Sequence, residues 1–259
     1  VRYNEPEESG GMAVGSVIHI TSGKGGTGKT SLTGGVGASL ALLGKQVLCL
    51  DGDVGLRNLD ITLGMTDAAL MDFSDVMAGR CDLSRAAVPH PTVSGLHLLT
   101  APLTLPGDFP GEAGFQALLQ QAREAYDYVL IDSPAGLGPG FRLAVCGADR
   151  AIVVAVSDPS SLRDAQRVVT QLSQLETIHL VVNRVRPRLL RRQNTTIDDA
   201  MDTAGLPLLG LVPEDPKVVL AATEGRPLAQ LGARRGAVRA YENIARRLTG
   251  QLVPLMGLR

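Results

Sequence analysis

Two lysines inside one glycine-rich octapeptide carry the clearest chemistry in this chain. Gly23-Lys24-Gly25-Gly26-Thr27-Gly28-Lys29-Thr30 satisfies the pattern G-x-x-x-x-G-K-[ST]. Glycines let main-chain N–H groups converge on an anion without Cβ clashes. A helix opening near Lys29 would add the positive end of its dipole. Lys29 is then placed to reach the β- and γ-phosphates of a nucleotide. The Thr30 hydroxyl is placed to ligate Mg2+, with Ser31 next to it at the site. An ordinary phosphate loop has no need of Lys24. That residue reads either as a solvated loop charge or as a cation with a second task.

Three carboxylates fit the same site. Asp51 and Asp53 stand in Asp51-Gly52-Asp53-Val54-Gly55-Leu56-Arg57-Asn58-Leu59-Asp60, just after an apolar run. At spacing i, i+2 both can face a metal–phosphate site if the backbone turns, which Gly52 and Gly55 permit. Asp132 ends the apolar run Tyr128 to Ile131 and suits a Walker B acid that holds Mg2+ directly or through water. Each alone could be a helix cap or a loop residue. Phosphoryl transfer needs an in-line water and charge stabilisation more than covalent chemistry. Asp53 is the candidate for positioning that water. Asp51 is the candidate for supporting the metal shell and the adjoining loop.

Such residues must be positioned by alternating strands and helices. Val17 to Ile20, Gln46 to Leu50, Leu96 to Leu99, Tyr128 to Ile131, Ala151 to Val156, Leu180 to Val182 and Leu208 to Val212 read as strands. Helical patterns cover Ser31 to Leu43, Glu112 to Ala125, about Ser161 to Leu175, Pro216 to Glu224 and Ala237 to Leu248. This alternation predicts an α/β fold with a doubly wound, mostly parallel sheet of the P-loop NTPase kind. Ligands in such sheets sit beyond the carboxyl ends of the strands. The glycine loop, Asp51, Asp132 and Asn183 all fall there. No internal repeat or linker divides the chain, so residues 12–250 read as one domain. Val1 to Gly11 reads as a disordered leader, with Met12 a candidate start, and 251–259 as a short tail.

Composition narrows the function. The 259 residues are 44% hydrophobic with a net charge of -1, so no global field attracts nucleic acid or anionic lipid. Cys49, Cys81 and Cys146 are isolated, which argues against a disulfide framework, a zinc site or a paired-cysteine cluster and fits a cytoplasmic chain. His19, His90, His97 and His179 lack metal-ligand spacing and read as structural. Arg184, Arg186, Arg188, Arg191 and Arg192 read as a solvated loop rather than a DNA-binding patch. The final helix has Val238, Tyr241, Ala245 and Leu248 as its core stripe. Beyond it, Pro254 and Gly257 interrupt an apolar tail that would need a continuous face to anchor at a membrane.

The loop Lys24 to Thr30 resembles that of the ParA/MinD group of deviant Walker ATPases. Asp51 to Asp60 and Asp132 to Gly136 (DSPAG) resemble its MinD branch, which acts in bacterial division-site placement. Ser161-Leu162-Arg163-Asp164, Asn183-Arg184 and Val212-Pro213-Glu214-Asp215 extend the match, so the resemblance spans about Val17 to Gly250. It implies ATP hydrolysis with Mg2+, an ATP-dependent homodimer and partners like the division regulators MinC and MinE. It implies that Lys24 contacts a partner subunit's phosphates, as an arginine finger would. Asn183, with Arg184 and the chain Pro213, Glu214 and Asp215, would receive the adenine. The loops Asp53 to Asn58 and Asp132 to Gly136 would be switches sensing the γ-phosphate. Two departures stand near those switches. The segment Ser157 to Asp164 is about two residues short, and Gly138 replaces an expected acid. The interrupted tail makes a peripheral position at the membrane the weaker half of the resemblance. Another positioning ATPase, for flagella or for chromosome or plasmid partitioning, is the alternative. An ATP-dependent amide synthetase or an iron-protein reductase fits less well, for want of a substrate domain and of paired cysteines.

Overall fold

The computed structural model describes residues 15–193, 196–231 and 235–257; the expected leader Val1 to Gly11 and Met12 lie outside them, as do the last two tail residues. In chain order the strands are β1 Ser16–Thr21, β2 Val47–Asp51, β3 Val88–Pro89, β4 Leu96–Leu99, β5 Tyr128–Asp132, β6 Arg150–Val156, β7 Thr177–Val185 and β8 Leu208–Pro213. The helices are α1 Lys29–Leu42, α2 Leu59–Leu63, α3 Phe73–Met77, α4 Leu83–Ala86, α5 Gly111–Ala125, α6 Pro139–Val145, α7 Pro159–Thr170, α8 Pro187–Gln193, α9 Ile197–Ala204, α10 Pro216–Thr223 and α11 Gly236–Leu248.

The eight strands form one sheet in the order β3-β4-β2-β5-β1-β6-β7-β8. All pairings are parallel except β3 with β4. The fold class expected from the alternation is therefore the one found. β2 is buried end to end, and β1 and β5 are buried beyond their first residue, because helices cover both faces. One apolar cluster fills the space beneath α1 and α11, with Leu32, Val36, Leu40, Tyr241 and Ile244. A second packs α3 and α5 on the other face, around Phe73, Phe115 and Leu118. A third lies under α7 and α9.

Register decides where the carboxylates meet. Ile20 of β1 and Asp51 of β2 are both level with Asp132 of β5. Three adjacent strands thus end together, and the loops after two of them carry Gly23–Thr30 and Asp53.

One reading is corrected. The arginines after β7 do not form a loop. Arg184 is still within β7, and Arg188, Arg191 and Arg192 lie on the short helix α8. Pro187 supplied the signal, since proline with its fixed φ favours the first helical turn. Helix α7 also begins earlier than the pattern suggested, with Asp158 as its cap and Pro159 in its first turn.

Candidate nucleotide site

The phosphate loop sits between β1 and α1, as the motif requires. Gly28 has φ 92°, a left-handed value suited to glycine. A Cβ on Gly28 would overlap the Asn183 amide, while Gly25 and Gly26 face open space. Lys29 is buried, and its Nζ donates to Ser22 Oγ at 3.1 Å. Ser22 Oγ donates to the Lys24 carbonyl at 2.8 Å, so this one hydroxyl ties both loop lysines together. Sequence reasoning passed over Ser22, although it directly precedes the motif.

Asp132 is almost fully buried behind the loop. The Thr33 hydroxyl lies 3.4 Å from its Oδ1 and donates more closely, at 3.0 Å, to the Lys29 carbonyl. Burial pushes the Asp132 carboxyl up to about 7; the Thr30 hydroxyl bond and the Lys29 charge oppose the rise, and the Asp51 and Asp53 charges add to it. Thr33 was also missed, though it stands one helical turn after Lys29.

Asp51 is held differently. Its Oδ1 accepts the Asp53 N–H at 2.9 Å and its Oδ2 accepts the Leu59 N–H at 3.1 Å. Burial raises it to about 6, against those two bonds and with help from Asp53 and Asp60. Both oxygens therefore fasten the loop 52–59, so Asp51 stands behind the site as a support. Asp53 is more open. Burial raises its carboxyl too, opposed by the Lys29 charge. The Lys29 ammonium is depressed by burial, with Asp132 and Asp53 working to restore it. Arg57, in the same loop, has φ 46°, a conformation that non-glycine residues hold only when the surroundings fix it.

The residues expected to receive the base converge on the loop as well. Asn183 Nδ2 donates to the Thr27 carbonyl at 2.8 Å, and its Oδ1 accepts the Arg184 N–H at 2.9 Å. Arg184, at φ 52°, donates to the Gly26 carbonyl at 3.2 Å. Glu214 is paired with Arg186 through both carboxylate oxygens, with Arg184 at 3.8 Å. Asp215 caps α10 and accepts the Ala237 N–H at 3.0 Å. The Asn183 amide and these acids are thus engaged in building the wall, and Pro213 closes β8 beside them.

These residues fit a magnesium nucleotide. A glycine cradle, a buried cation beside it and two buried carboxylates short of positive charge make an uncompensated set. A divalent cation with a polyphosphate supplies what the set lacks.

Known proteins resolve which family this is. The domain described as "CobQ/CobB/MinD/ParA nucleotide binding domain" matches residues 18–228. The septum site-determining protein MinD of Bacillus subtilis (strain 168) is 40% identical over 250 residues, covering 95% of this chain and 93% of that protein. The chain belongs to the MinD/ParA family. Membership makes it a P-loop ATPase that works with ATP and Mg2+. Among solved MinD/ParA-family structures, MinD in the MinC:MinD cell division protein complex of Aquifex aeolicus superposes with a TM-score of 0.86 at 37% identity, over 93% of this chain and 98% of that one. Pyrococcus horikoshii MinD complexed with Mg-ADP gives 0.78 at 28% identity, over 90% and 95%.

Proposed function

We propose that this chain is a MinD-type ATPase that binds and hydrolyses Mg-ATP and regulates division-site placement. The observation that carries the reading is the convergence of Lys29, Thr30, Asp53 and Asp132 at the carboxyl ends of β1, β2 and β5. Residues Gly23 to Ser31 bind the phosphates. Asn183, Arg184 and the chain from Pro213 to Asp215 border the base. Bound magnesium, held at Thr30 with Asp132 and Asp51 behind it, neutralises phosphate charge. Lys29 balances the phosphates from the buried side. Asp53 orients the attacking water from the partly open side. Asp51 ties any movement of Asp53 to the loop that ends at Leu59, which suits a γ-phosphate sensor.

The catalytic form is an ATP-dependent homodimer in which Lys24 serves the neighbouring subunit. Its place at the exposed start of the loop supports this, while Lys29 is committed within. MinC is the partner that the Aquifex complex suggests, with a MinE-like regulator second; titrating purified MinC onto the ATP-loaded chain tests the first. Residues 12–250 act as one ATPase unit, supported by the single continuous sheet. The site of action is the cytoplasm, with a peripheral position at the membrane as the finer expectation. Exposed Leu252 and Leu255 on the tail support that expectation, and no helix among the described residues is long and apolar enough to cross a bilayer. Sedimentation with anionic vesicles under ATP and under ADP tests it.

ATPase rate measured against protein concentration tests the dimer. Specific activity should rise with concentration, and Lys24→Ala should abolish the rise. Specific activity that is flat, and the same in Lys24→Ala, overturns the dimer reading.

A further inference from the structure

Helix α2 follows the loop that carries Asp53, and a buried histidine fixes its far end. The first N–H of α2, that of Leu59, goes to Asp51, whose other oxygen takes the Asp53 N–H. At the last residue of α2, the His90 Nε2 lies 2.9 Å from the Leu63 carbonyl. The last carbonyls of a helix have no partner within it, so this bond satisfies one of them. The opposite ring nitrogen decides the tautomer. Nδ1 accepts the N–H groups of Thr92 and Val93 at 3.1 Å and 3.0 Å, so it carries no hydrogen. Nε2 therefore holds the hydrogen and donates it to Leu63.

One ring thus ties the turn between β3 and β4 to the end of α2. That end is closely set. Gly64 closes the helix at φ 68°, and a Cβ there would overlap the Gly225 carbonyl. Five residues make little more than one helical turn. A shift at Leu63 is passed to Leu59, and from there through Asp51 to Asp53.

The hold depends on the proton state of the ring. An imidazolium donates at both nitrogens and cannot accept from Thr92 and Val93. A cleft of about 540 Å3 opens beside the ring, with Thr92 and Ser94 exposed on its rim. Burial lowers the proton affinity of His90, opposed by the Leu63 bond. The titratable groups of the surrounding elements are engaged or depressed. Asp60 on α2 accepts the Ile61 N–H at 2.6 Å, Arg226 beside Gly64 is paired with Glu224, and His97 in the cleft is itself lowered by burial. Gln230, in the 3-10 helix Leu228–Leu231, reaches the turn through Thr92 Oγ1 without a charge. A histidine lowered in the fold contributes in full above its ordinary value of about 6.5 and loses that contribution as pH falls below it.

We propose that His90 is a positioning residue for ATP hydrolysis: by holding the end of α2 it fixes the loop 52–59 and so the place of Asp53. The proposal rests on the reading that Asp53 orients the attacking water.

His90→Asn isolates the bond to α2. An asparagine Oδ1 still accepts main-chain N–H groups two and three residues on, so the turn is kept, but its amide stops short of the Nε2 position. Mg-ATP hydrolysis is measured from about pH 8 down to about pH 5.5 for the full chain, His90→Asn and Asp53→Asn. Taking the ratio of full chain to His90→Asn cancels the titration of Asp51 and Asp132, which both share. At about pH 8, His90→Asn should lower kcat about three- to tenfold, with KM for ATP within about twofold. The deficit should shrink toward unity as pH falls and the parent's own ring takes a proton. Amide hydrogen exchange over 59–64 should quicken by about the same factor at the higher pH, with α5 and α11 unchanged. A merely structural role would cost the same at every pH. An unaltered kcat at the higher pH, or a deficit that stays constant with pH, overturns the proposal. Unchanged exchange over 59–64 in His90→Asn overturns the hold on α2. Full activity in Asp53→Asn overturns the reading of Asp53 instead, and quickened exchange in His90→Asn would still show the hold.

Discussion

At the scale of the residue, the site is a balance of buried charge. Asp132 and Asp51 are raised to about 7 and about 6, in both cases chiefly by burial. A carboxyl that is raised in the fold binds its proton more tightly there than in the unfolded chain. Its stabilising contribution is therefore full below the ordinary carboxylate value and is lost as pH rises through the folded value. Without nucleotide and Mg2+, thermal stability should decline between about pH 4 and pH 7 on account of these two groups. Asp132→Asn should remove the larger part of that decline and raise the nucleotide-free stability at pH 8 by on the order of 2 kcal/mol, with a higher melting temperature. The same variant should lose Mg-dependent ATP hydrolysis. Scanning calorimetry from about pH 4 to about pH 8 checks the first claim. A variant no more stable than the parent at pH 8 would show that Asp132 is not under strain.

At the scale of the element, α1 explains how the site is held and why much of it was legible. The helix carries Gly34, Gly35 and Gly37, each of which weakens a helix interior by up to about 1 kcal/mol relative to alanine. All three are required by contact. A Cβ on Gly35 would overlap the buried ring of Tyr241 on α11, one on Gly37 would overlap Cys49 Sγ on β2, and one on Gly34 would overlap Thr62 Cγ2 on α2. The phosphate-loop helix thus lies unusually close to these neighbours. Gly35→Ala should destabilise the fold by about 1–3 kcal/mol through overpacking. Gly138→Ala, which meets open space at φ -73°, should stay within about 0.5 kcal/mol. Chemical denaturation of the two variants makes the comparison, and equal losses would refute the packing argument. Motif and strand were readable here because glycine spacing and an apolar run fall together between Val17 and Thr30. The loops were not. Helices α2, α3, α4 and α6 have four to seven residues, too short to show a period. Thr33 meets Asp132 through a contact that only the folded chain makes.

At the scale of the whole molecule, α11 joins the site to the tail. Tyr241 packs on α1, and Ala237 at its first turn is held by Asp215, the cap of α10. At its far end Arg247 donates to the carbonyls of Val253 and Pro254, at 2.9 Å and 2.8 Å, and to that of Leu209 at 2.7 Å. Leu209 belongs to β8, one of the two edge strands of the sheet. One guanidinium therefore joins this edge strand to the tail, while Met256 packs against the core beneath α11. Proline at 254 and the lack of helix over 251–257 fit this strap better than an amphipathic helix, which would need a regular turn at each of these residues. If the strap is what orders the tail, Arg247→Ala should expose it. Thermolysin cleavage near Leu252 and Leu255 should then quicken by about tenfold, the scale set by losing hydrogen bonds to a charged donor. Cleavage elsewhere and ATP binding should hold steady, because α11 keeps its Tyr241 and Ile244 contacts. Tail cleavage at the parent's rate in Arg247→Ala would mean that core packing at Met256 alone holds the segment.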